Sequence, residues 1–141
     1  MSHDPYFNII PFDPLVVPNP KIQLPIDFDD FAQQLQKLQP TGELRINKSN
    51  GEVDINLHIS TEKYGSHIVA HFIEDFNQFC VSLWPKRLSK EIIFWYRHYI
   101  PMNYSLFLVV PEYGDVTELA PNITLDDIEK LYPFPLPEEL W

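Results

Sequence analysis

The sequence predicts a single α+β domain, a small, mostly antiparallel sheet of about 3–5 strands packed on a long central helix plus shorter helices, with proline-rich extended arms at both termini. Three observations lead there. Residues 66–84, read at helical spacing, place Ile68, Val69, Phe72, Ile73, Phe76, Phe79, Cys80 and Leu83 on one broad arc. Residues 42–60 alternate apolar and polar side chains on both sides of Asn50 and Gly51, the pattern of a tight hairpin. Of the 14 prolines, six lie in residues 1–26 and three in 133–141, so both ends are stiff and poor in helix. The chain therefore divides into an extended arm (1–26), an α+β domain (27–132) and a second arm (133–141), with no internal repeat and no low-complexity linker.

In the first arm, apolar residues such as Phe7, Ile9, Ile10 and Val16 sit between prolines, which makes a central strand improbable and suits a segment lying across a surface, its own or a second copy's. Residues 27–38 follow as a short amphipathic helix: Asp27, Asp29 and Asp30 suit a helix start, and Phe28, Phe31, Leu35 and Leu38 share a face. The hairpin of 42–60 exposes Glu43, Arg45, Glu52, Asp54, Asn56 and His58 on its wet face. After the central helix, Ser89 is a candidate cap for a second helix over 90–100, although a strand buried on both faces fits that run nearly as well. Residues 104–110 are apolar at almost every position and predict an inner strand, 116–119 predict an edge strand, and Thr124 caps a last helix over 125–132.

Charge narrows the chemistry. Twenty acids against ten bases give a net charge of −10, which disfavours nucleic acid and anionic membrane as partners and favours a cationic one. Lys86, Arg87, Lys90 and Arg97, interleaved with Trp95, Tyr96 and Tyr99, could stack on and neutralise a nucleic-acid strand. Beside so negative a remainder, they are expected instead to pair with the protein's own acids or with an acidic second subunit. Cys80 stands alone on the apolar arc, which predicts a buried thiol in a reducing, cytoplasmic setting. The first residues lack a basic region followed by an apolar one, and no apolar run reaches membrane-spanning length, so neither export nor insertion is expected.

No serine lies in a Gly-x-Ser-x-Gly elbow, and four glycines leave no phosphate-cradling loop, so the expectation is a protein without catalysis or cofactor. The one candidate metal set is His67, His71 and Glu74, a stripe along the central helix, with His58 or His98 as further donors. Ile68 stands where a zinc-hydrolase helix would carry glutamate. What remains is an acidic surface studded with aromatics, suited to covering a basic protein such as a nuclease toxin, as an inhibitor or immunity-type protein does. The residues expected to make that contact are Glu112, Tyr113, Asp115, Glu118, Asp126, Asp127 and Trp141. The alternatives are an assembly protein whose arms reach neighbouring subunits, forming a homo-oligomer through the N-terminal arm, and a small metal-binding protein built on His67 and His71.

Overall fold

The chain forms β1 (Tyr6–Ile10), α1 (Phe28–Leu38), β2 (Glu43–Ser49), β3 (Glu52–Thr61), β4 (Gly65–Ile73), β5 (Gln78–Ser82), α2 (Lys86–Tyr99), β6 (Phe107–Val110), β7 (Asp115–Glu118) and α3 (Leu125–Glu129). A computed structural model describes residues 6–16, 22–49, 51–62, 65–74, 77–111 and 114–132. All seven strands join one sheet in the order β2-β3-β4-β5-β1-β6-β7, every pair antiparallel.

The fold expected from the sequence is corrected here: the molecule is a seven-stranded sheet with three short helices, not a few strands on a long central helix. The segment read as that helix is the pair β4 and β5, turned at Asn77, whose φ of 46° is one that asparagine tolerates. The helical appearance has a specific cause. Leu57 stands opposite Ala70 and His58 opposite Ile68, so Val69 is an extra residue at a β-bulge. The bulge shifts the phase of the alternation: Val69 and Ala70 are both buried, while Ile68 and Ile73 add apolar residues to the other face. A period of two broken in this way fills a broad helical arc.

The N-terminal segment is a second correction. Tyr6–Ile10 is an inner strand, paired with β5 on one side and β6 on the other. Pro5 and Pro11 flank it without entering it, so all five residues keep their amide donors for the ladders. Elsewhere local signals hold: α1 is capped by Asp27, β2 and β3 pair as a hairpin with Gly51 at φ 81°, β7 is an edge strand, and Thr124 caps α3. Of the run 90–100, residues 90–99 are helical, in a helix that begins earlier than expected, at Lys86, and ends at Tyr99. The C-terminal arm, 133–141, lies outside the described residues.

Side chains directly opposite one another in antiparallel strands share a face. Ile55, Phe72, Phe79, Ile9 and Leu108 form one such row, each at most 1% exposed. Helices α1 and α2 cover it. Phe31 of α1 is the hub, with ring centroids 5.3 Å from Phe72, 5.7 Å from Phe79 and 5.1 Å from Trp95 of α2. Tyr96 stacks on Phe79 at 4.3 Å. Among the described residues no helix covers the opposite face, where Asn56, His71, Cys80, Asn8 and Val109 line up across five strands.

Candidate functional site

Two regions carry the side chains with chemical potential, the charged flank made by α2, β7 and α3 and the open face of the sheet. On the flank, the basic residues of α2 are engaged within the fold. Arg97 is 1% exposed, and its guanidinium donates to the carbonyl oxygens of Tyr104, Leu119, Ile100 and Pro101 at 3.0–3.3 Å. A planar fork with five donors suits such a ring of acceptors, and it ties the end of α2 to the loop before β6 and to the end of β7. Burial lowers its pKa. Lys86 and Lys90, one turn apart, both reach Glu129 Oε1 of α3, at 3.3 and 3.1 Å. Hydrogen bonding to Lys90 and Lys86 holds the Glu129 carboxyl below its ordinary range.

The described acids expected to meet a partner are all exposed. Asp115 and Glu118 stand at the two ends of β7, opposite Val110 and Phe107, while Asp126 and Asp127 open α3. Asp127 has a structural duty as well: it accepts from the Thr124 amide, and its own amide donates to Thr124 Oγ1, closing a capping box. Asp115, Glu118 and Asp126 make no ion pair among the described residues. Glu112, Tyr113 and Trp141 fall outside them; of the four that are described, Asp115 and Glu118 stand on opposite faces of β7, and Asp126 and Asp127 lie in the first turn of α3.

The open face carries the histidines. They lie on a strand, so the reason for treating them as a helical ligand stripe is removed. His67 is buried; its Nε2 lies 2.9 Å from Ser82 Oγ and its ring stacks on Trp84 at 3.8 Å. Glu74 sits at the far end of β4 and accepts from the Val53 amide at 3.1 Å. His67 and His71 line one concavity, but Glu74 is not among its lining residues, and among the described residues no group of three His, Cys, Asp or Glu side chains is arranged to hold a metal ion.

His71 shares a concavity of about 460 Å³ with Tyr6, Ile68, Cys80 and Ser82. Its buried Nε2 has no hydrogen-bond partner among the described residues. Cys80 is half-buried on this open face rather than in the core, another change from the expectation, and follows from its place opposite His71 and Asn8. Burial raises its pKa, against a smaller lowering by the hydrogen bond from Gln78 Nε2. A thiol so held stays protonated near neutral pH, which is the reverse of nucleophile activation.

Sequence reasoning did not identify Arg97 and Glu129 as anchors. The expectation that the basic segment pairs with the protein's own acids holds for Lys86 and Lys90 on Glu129, whereas the carbonyl acceptors of Arg97 leave no trace in a sequence. No helix of the described residues is long and apolar enough to cross a membrane. Comparison with family models, with curated proteins and with solved structures returned no match to this chain.

Proposed function

We propose that the protein is a non-enzymatic binding module that covers a cationic protein partner through its β7 and α3 flank, in the manner of an inhibitor or immunity protein. One observation carries this reading: three of the four bases of α2 are engaged internally, whereas Asp115, Glu118 and Asp126 are exposed and make no ion pair among the described residues. These are three of the twenty acids of a chain whose net charge is −10. Unpaired carboxylates on a rigid edge strand and a capped helix accelerate encounter with a basic surface and disfavour acidic ones.

Affinity capture from the source cells at low ionic strength, with identification of the retained protein, tests it. Recovery of a basic protein that is released by salt and is lost from an Asp115→Asn, Glu118→Gln, Asp126→Asn bait supports the reading. Recovery of only neutral or acidic proteins, or retention indifferent to the triple substitution, contradicts it.

A further inference from the structure

The two edges of the sheet differ. β7 is four residues long, a length that offers little to an incoming strand, whereas β2 runs for seven residues and six of them are exposed. A long, open edge leaves a row of backbone donors and acceptors unpaired. Beside it runs a groove of about 530 Å³, floored by Ala32, Leu44 and Ile46 and flanked by Asp29, Gln36 and Lys37 of α1. Ile46 is 42% exposed there. Residues 29, 32, 33, 36 and 37 form a second stripe on α1, distinct from the core stripe of Phe31 and Leu35.

We propose that this edge and groove bind a second copy of the chain, β2 pairing antiparallel with β2 of its partner about a two-fold axis at Ile46. The choice of occupant rests on charge and register. Asp29 and Glu43 against Lys37, Arg45 and Lys48 leave this patch at about +1 in a chain of −10. A cationic partner has no reason to select it, and two copies meet here without the repulsion of their other surfaces. With the axis at Ile46, each Ile46 covers its own equivalent, each Leu44 lies under the stem of a Lys48, and Arg45 stands across from Asn47. No like charges face one another directly. Shifting the axis to Arg45 would oppose two arginines.

The helices fit the same axis. α1 packs over β2 and β3. Strands are spaced by roughly 4.8 Å, so the two α1 helices would stand two spacings, about 10 Å, apart, an ordinary helix-packing distance. The two-fold makes them antiparallel, which brings Asp29 at the start of one helix to Lys37 at the end of the other, twice over. Such an isologous interface closes on itself.

Sedimentation equilibrium of the full chain tests the proposal. The expected result is a reversible dimer of twice 16.6 kDa. Ile46→Asp places two carboxylates face to face and should raise the dimer dissociation constant by about 100-fold or more, with unchanged far-UV circular dichroism. Asp29→Lys, on an exposed helix face, should weaken the dimer about tenfold, and adding Lys37→Asp should restore it. A wild-type chain that stays monomeric at hundreds of micromolar, an Ile46→Asp chain that dimerises like wild type, or a charge swap that fails to recover would each overturn it.

Discussion

The fold uses the charges of α2 and those of β7 and α3 in opposite ways. Arg97, Lys86 and Lys90 are drawn inward or against a neighbouring helix, where they hold α2, the end of β7 and α3 together. Asp115, Glu118 and Asp126 contribute nothing comparable to that framework and point to solvent. Charge that is engaged stabilises the fold and is hidden from partners; charge left unengaged is available for recognition.

Breaking the engaged side should have the largest effect. Arg97→Ala strips donors from four carbonyl oxygens and opens a cavity beside Tyr96, and should cost at least about 3 kcal/mol in denaturant unfolding. Arg97→Lys should be nearly as harmful, because a point charge cannot reach the same ring of acceptors. Next comes the α3 cap: Thr124→Ala should cost about 1 kcal/mol.

The same cap carries a pH signature. Hydrogen bonds from Thr124 hold the Asp127 carboxyl below its ordinary 3.8, so the folded state favours the ionised form. Its stabilising effect is present in full above that value and is lost as pH falls through the lower folded pKa. Acid titration of unfolding midpoints should show this loss in wild type and lack it in Asp127→Asn. A smaller effect still is expected from Glu129→Gln, which removes the shared counter-ion of Lys86 and Lys90: a slight drop in melting temperature that added salt erases.

These sites differ in how far the sequence announces them. Asp27 before α1, Gly51 in the hairpin of β2 and β3, and Thr124 at α3 are local devices that form as expected. The sheet region from β4 to β5 is obscured because the bulge at Val69 adds a residue to the alternation and because Ile68 occupies an open face. β1 is obscured for a different reason. Proline density across residues 1–26 argues against a strand, but the five proline-free positions between Pro5 and Pro11 suffice for one. Long-range partners such as the carbonyls around Arg97 depend on tertiary placement alone. Within the candidate site, the acids are visible in the sequence, whereas the engagement of the neighbouring bases is visible only in the structure.

That contrast is tested most directly by calorimetric titration of the captured basic partner into wild type and into the Asp115→Asn, Glu118→Gln, Asp126→Asn variant at two ionic strengths. The account predicts that the variant keeps wild-type stability, loses affinity by about tenfold or more at low salt, and shows a shallower salt dependence. Equal affinities and equal salt dependence in the two proteins would contradict it.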